Sequence, residues 1–307
     1  MLRLVAHEPT ALTTRILDAA RAICGQNVID KLLTGSVAEE ADLFTNAVAQ
    51  PLICTAAVAC WEALRAHGLP EPAVVAGYSV GELSAHAIAG TLVQSEDVLP
   101  LAQARARAMD DATTSGTPGG LLAVRGLSQS RVEEIAAAVG LEIAIINGAD
   151  HFVLGGNEPA LAEGERRFAQ AAHGGSAGIT VRRLEVGVPA HTSHLASAGE
   201  PFRHALMTAD LRAPRLPVLA GINGALVHTA VDAIDTLTAQ ISRTIRWDRV
   251  LRAAWELGAR VFLTLGPGCG FARIALAELP AGCEARAADE FRSLDGVVAW
   301  VRSRVED

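Results

Sequence analysis

The segment Gly77-Tyr78-Ser79-Val80-Gly81-Glu82 sets one serine between two glycines, directly after the apolar run Pro72-Ala73-Val74-Val75-Ala76. A G-x-S-x-G turn between a strand and a helix has the pattern of a nucleophile elbow. It exposes the serine hydroxyl at the carboxyl edge of a sheet. The glycines permit the close backbone approach that such a turn needs. The N-terminus of the following helix aims backbone N–H groups and a favourable dipole at developing negative charge. The chemistry these features suit is attack by Ser79 on an acyl group.

A serine nucleophile needs a base. His191 and His194, in Gly187-Val188-Pro189-Ala190-His191-Thr192-Ser193-His194-Leu195, stand at a loop-to-helix junction. On pattern alone each is as readily a structural residue as a base. Their H-x-x-H spacing also suits a metal, but no third ligand is evident and no metal is expected. A further candidate is Arg105, in the helical stretch Ala102-Gln103-Ala104-Arg105-Ala106-Arg107-Ala108-Met109. An arginine on a helix is ordinarily a solvated surface residue. Arg105 and Arg107 sit about 200° apart around the axis, so only one can face the core. Met109, four residues on, places Arg105 over the apolar stripe. A buried guanidinium needs an anion, and a carboxylate matches its fork.

The elements that must position these groups follow from composition and periodicity. A chain of 307 residues, half of them hydrophobic and 20% charged, suits one large α/β domain or two ordinary ones. The net charge of −8 excludes the basic face of a nucleic-acid binder. Five cysteines without C-x-x-C spacing read as reduced thiols of a cytoplasmic protein. No signal peptide is visible, and the longest apolar run, Leu52 to Trp61, falls short of the roughly 20 residues of a membrane span. A soluble protein without membrane or nucleic-acid partners is the expectation.

Apolar spacing predicts helices over Pro9–Gly25, Asp42–Gly68 with a break or kink at Pro51, Val80–Ala89, and Ser95–Ala112 with Ser95 as N-cap. After the Gly/Thr/Ser-rich stretch 113–120 the order becomes β-α-β-β-α-β, the pattern of a ferredoxin-like unit. It reads as an insertion, 117–184, into an α/β core made of 1–116 and 185–307. The core resumes with a strand at Leu216–Ile222, helices near Val231–Ser242 and Trp247–Gly258, and a strand at Arg260–Gly266 before the helix Phe271–Leu279. The fold expected is α/β, hydrolase-like, with a mainly parallel sheet.

In this order, Gly77–Glu82, Arg105–Met109, the Ile145–Gly156 segment, Val188–His194, a glutamine upstream of a tryptophan, and Leu265-Gly266-Pro267-Gly268 resemble malonyl-CoA:acyl-carrier-protein transacylases. The resemblance runs from about residue 10 to the C-terminus. Tyr78 and Val80, where fatty-acid-synthesis members commonly carry histidine and leucine, resemble most the epsilon subunit of malonate decarboxylase. The resemblance implies roles: Ser79 as nucleophile, His191 as general base and acid, and Gln240 as the residue whose backbone carbonyl holds that histidine. The side chain of Gln240 would matter less than its position. The Val80 N–H would be an oxyanion donor, Arg105 would grip the malonyl carboxylate, and Asn147 would line the pocket. His194 is left as structural or pocket-lining, and Cys269 as a small packed residue. No cofactor would be bound permanently. Malonyl-CoA would be the substrate and a phosphopantetheine-type arm would come with the partner, an acyl-carrier protein or the carrier subunit of malonate decarboxylase. One departure stands out, because the family's opening strand and Gln-bearing loop are not found before "MLRLVAHEP". A core strand and one oxyanion donor are expected to be missing. Two other readings remain open here: a serine hydrolase using Asp150 or Glu185 as its acid, and an acyl-binding subunit of little activity.

Overall fold

A computed structural model describes residues 2–6, 9–34, 41–114, 118–173 and 178–305. Residues 115–117, in the expected crossing between core and insertion, lie outside the described residues. The architecture is α/β. At its centre is the helix Asn46–Ala66, whose residues Cys54 to Leu64 are all buried. A helix that is apolar on every side has to be surrounded, and here the helices Ala11–Cys24 and Val98–Thr114 pack along it. Its length and composition would allow it to cross a membrane, but 72% of its most apolar window is buried inside the protein. Pro51 is not a boundary, because the helix continues through that position. Ser95 is not a cap either, because Gln94 takes that position while the Ser95 hydroxyl donates to Glu62 at 2.7 Å.

The core strands are short. β1 (Val75–Ala76) leads into the serine turn and pairs in parallel with β6 (Val218–Leu219). β7 (Leu226–Val227) adds antiparallel to β6. β9 (Val261–Thr264) and β10 (Glu284–Ala287) form a separate parallel pair. The expected core sheet is thus present in two pieces, with β1 and β9 each at an edge among the described residues. The carboxyl ends of these two edges approach through Tyr78 and Phe271, whose rings are 4.6 Å apart.

The second sheet has five strands in the order β5-β2-β4-β3-β8. β2 (Gly119–Arg125), β3 (Glu142–Ile146), β4 (His151–Asn157) and β5 (Thr180–Arg183) are antiparallel neighbours. The helices Gln129–Val139 and Glu158–His173 lie on them, around a separate core of Leu122, Phe152, Leu154, Leu161 and Phe168. β8 (Ile245–Arg246), from much later in the chain, extends this sheet in parallel beside β3. That strand couples the small unit to the segment that follows Gln240.

The elbow itself depends on one glycine rather than two. A Cβ on Gly77 would lie 2.1 Å from the Gly81 carbonyl oxygen and 2.2 Å from the Glu82 nitrogen, whereas one on Gly81 would meet nothing within 4 Å. Gly77→Ala is therefore expected to destabilise the fold by roughly 1–3 kcal/mol, the range for forced overpacking. Gly81→Ala, at the first helical position, should be neutral or mildly stabilising. Thermal melts of the two variants check this, and equal melting temperatures would contradict it.

Candidate active site

Ser79 ends the elbow just ahead of the helix Gly81–Ile88, with Val80 at its N-cap. Its φ is +52°, and His191 has a φ of +63°; among the described residues these two are the only non-glycine positions with positive φ. Left-handed backbone at a serine or histidine is strained and persists only where neighbours impose it. The strain coincides with contact, for the Ser79 Oγ lies 2.8 Å from the His191 Nε2.

His191 is held from several sides. Its backbone N–H donates to the Ile241 carbonyl at 2.8 Å, and its Nδ1 bonds the Gln240 carbonyl oxygen. A carbonyl only accepts, so Nδ1 carries the proton and Nε2 is left as the acceptor that faces the serine hydroxyl. The small unit secures the same loop. Gly155 on β4 admits Thr192, whose methyl would be 2.7 Å from an added Cβ. The Glu142 carboxylate on β3 accepts from the Ser193 N–H at 2.8 Å and from its hydroxyl at 2.5 Å. His194 points elsewhere, with its Nε2 4.0 Å from Glu142 and its side chain 37% exposed.

Arg105 is 2% exposed, while Arg107 faces solvent. The helix-face argument therefore holds in the structure. Its Nη1 donates to Gln50 Oε1 at 2.7 Å, and its Nη2 to Gln240 Oε1 at 3.1 Å and to Ser79 Oγ at 3.3 Å. Burial lowers its pKa to about 10, which leaves it charged at neutral pH. The Gln240 side chain was expected to matter little. It instead bridges Arg105 and Glu82, donating from Nε2 to Glu82 Oε2 at 2.7 Å. Glu82 is fully buried, and burial pushes its carboxyl up to about 8. Gln50 and Glu82 are site neighbours that sequence reasoning missed. Glu82 was in plain view within the serine motif, but an acid in a first helical turn ordinarily signals the helix dipole.

Asn147, directly after β3, is buried with its Oδ1 unpartnered, and no bond joins it to Ser79, His191 or Arg105 among the described residues. Tyr78 meets the Trp247 ring edge-on and the Phe271 ring at a tilt. Cys269 caps the helix Gly270–Glu278 and is half-buried. Neither hydrolase acid stands behind His191: Asp150 lies 3.9 Å from Arg125 and Glu185 is exposed. The position of a triad acid is filled by the Gln240 carbonyl.

This geometry supplies a hydroxyl, an acceptor imidazole, a helix N-terminus and a buried cation around one point, the equipment for moving an acyl group that ends in an anion. Residues 13–273 match the acyl transferase domain family, and the chain belongs to it. It is 32% identical over 222 residues to a malonyl CoA-acyl carrier protein transacylase of Mycolicibacterium smegmatis, covering 72% of this chain and 73% of the relative. The Mycobacterium tuberculosis protein of the same name is 30% identical over 269 residues, covering 87% and 86%. Among solved structures, the acyl-carrier-protein S-malonyltransferase of Burkholderia pseudomallei superposes with a TM-score of 0.83 at 27% identity, over 97% of this chain and 94% of that one.

The environment of His191 sets a pH dependence. Burial and the nearby Arg105 charge lower its pKa from 6.5 to about 3, against the raising effect of the Gln240 bond. A depressed folded pKa means the unfolded chain takes up the proton first, so this histidine's contribution to stability is full above about 6.5 and is lost as pH falls below it. In molecules still folded, Nε2 stays unprotonated through that window. The rate at which a serine-directed phosphonylating reagent labels Ser79 should therefore be level from pH 8 to about pH 5. A rate that halves near pH 6.5 would show an ordinary imidazole and contradict the assignment.

Proposed function

We propose that the protein is a malonyl-CoA:acyl-carrier-protein S-malonyltransferase with a malonyl-serine intermediate. The observation that carries this reading is the buried Arg105 guanidinium, 3.3 Å from the Ser79 hydroxyl. An acyl chain esterified to Ser79 and ending in a carboxylate would find there the planar donor fork that it matches. The names of the relatives support the same donor and acceptor.

The reaction runs in two half-steps. The Ser79 oxygen attacks the thioester carbonyl as His191 Nε2 takes its proton, and the oxyanion gathers at the Val80 N–H on the helix N-terminus. The C–S bond breaks, and His191 returns the proton to the CoA thiolate. The carrier's phosphopantetheine-type thiol then gives its proton to His191, attacks the ester and restores the serine, a ping-pong sequence. Asn147 belongs to the pocket in this scheme. No resident cofactor is required. The two-part division, a core of 1–116 and 185–307 with an inserted unit of 117–184, belongs to the same proposal, with the site in the cleft between them. A cytoplasmic setting and service to malonate decarboxylase, whose carrier subunit would be the acceptor, form its finer part. The tyrosine and valine flanking Ser79 support that part.

Mixing the protein with malonyl-CoA should add one malonyl mass, mapped to the peptide bearing Ser79. Ser79→Ala should abolish the adduct and His191→Ala should slow it at least about 10²-fold, the low end for general-base catalysis. An adduct on Cys269, or one that survives in Ser79→Ala, overturns the reading.

Arg105→Ala should depress malonyl transfer by a loss of roughly 2–5 kcal/mol, as for truncating one partner of a buried charge pair. Acetyl transfer, with no carboxylate to hold, should fall far less. Parallel steady-state rates with the two thioesters decide it. Equal losses would make Arg105 a structural residue.

A further inference from the structure

Glu82 is a buried acid that the reaction as written does not use. It is fully buried, and its Oε2 accepts from Gln240 Nε2 at 2.7 Å and from the Gly221 N–H at 3.1 Å. Its Oε1 is buried with no hydrogen-bond partner among the described residues. A carboxyl desolvated to this degree destabilises the fold unless it is fully bonded. Gly221 makes room for it, since a Cβ there would lie 2.6 Å from Glu82 Oε2. No hydrogen bond links Glu82 to Arg105 directly; the path runs through the Gln240 amide.

That amide has a donor end and an acceptor end, and in the protein they face opposite demands. The Glu82 oxygen requires the NH₂ group, and the Arg105 Nη2 requires the carbonyl oxygen. Only one orientation satisfies both. Without Glu82, only the longer bond from the NH₂ to the Ser79 carbonyl, at 3.4 Å, holds the far end, and the amide is freer to turn its NH₂ toward the guanidinium and push the fork off Ser79. The main-chain carbonyl of Gln240, which holds His191, takes no part in this. One residue thus supports the base through its backbone and the arginine through its side chain.

We propose that Glu82 is a positioning residue for acyl selectivity: through the Gln240 amide it aims the Arg105 guanidinium at the acyl site on Ser79. This rests on the malonyl-transfer reading. The role requires an acceptor oxygen at position 82 rather than a charge. Oε2 accepts both bonds whether the carboxyl is ionised or neutral, and the burial that raises its pKa is consistent with a neutral form at moderate pH.

The test compares Glu82→Met, which removes the acceptor at similar volume, with Glu82→Gln, which keeps it. Single-turnover loading of Ser79 from malonyl-CoA and from acetyl-CoA is followed by intact mass, with KM and kcat for each thioester. Glu82→Met should lower the malonyl-to-acetyl ratio by about 10-fold, a typical size for one misplaced charged hydrogen bond, with the malonyl loss mainly in KM. Glu82→Gln should restore the wild-type ratio. Gly221→Ala, which crowds Glu82 from outside, should lower the ratio in the same sense and serves if Glu82→Met does not fold. Equal losses for both thioesters in the folded variants, an unchanged ratio, or a loss in Glu82→Gln as deep as in Glu82→Met would each overturn the proposal. Wild-type protein that loads neither group, or loads acetyl in preference, would instead sink the malonyl-transfer reading, and is read before any variant.

Discussion

The demand that organises this molecule is a guanidinium buried without a carboxylate bonded to it. Arg105 is 2% exposed, and its hydrogen-bond partners are the neutral oxygens of Gln50, Gln240 and Ser79. Neutral acceptors satisfy its donors but leave its charge uncompensated at close range, in surroundings of low dielectric. In the proposed reaction an incoming acyl carboxylate would supply the missing charge, and desolvation that weakens the free protein would be turned into affinity for one class of ligand. The central helix presents Gln50 from a buried position in the core. The helix Val98–Thr114 has to lie against it to present Arg105.

Around this cation the protein sustains two strained backbones at once. Ser79 and His191 both sit at positive φ, and each is fixed by contacts that leave little alternative. Gly77 lets the elbow close on Gly81 and Glu82. The Ile241 carbonyl, Thr192 against Gly155, and Ser193 under Glu142 pin the histidine loop. Ser79 and His191 are therefore brought together by the fold rather than by adjustment of side chains, a preorganised geometry.

Much of the arrangement was legible in the sequence, and what escaped did so for identifiable reasons. Long helices with strong 3.6-residue spacing, such as Ala11–Cys24 and Val98–Thr114, stand out because their own apolar faces define them. Two-residue strands such as β7 and β8 do not, since only their distant pairing partners make them strands. Pro51 reads as a kink or boundary because local rules weigh its missing N–H, whereas the helix continues through it with Pro51 itself buried. The choice between Arg105 and Arg107 needed only helical geometry. Gln50 gave no signal, because it becomes part of the site only through an arginine 55 positions away. The Gln240 side chain was undervalued because its partners, Arg105, Glu82 and the Ser79 carbonyl, all come from distant regions of the chain.

The tie between the small unit and the histidine loop bears on how the chain reaches its working state. Ser79 and His191 are 112 positions apart, and Gln240 contacts the serine backbone from 161 positions away. The elbow closes by local contacts, which form early and cheaply in entropy. The base arrives only after a long loop has closed and β3 and β4 have formed to receive it. A half-folded chain would expose a serine hydroxyl with no imidazole beside it to take its proton. Under the proposed reaction, nascent or partly unfolded molecules would thereby be kept from trapping acyl groups that they could not pass on.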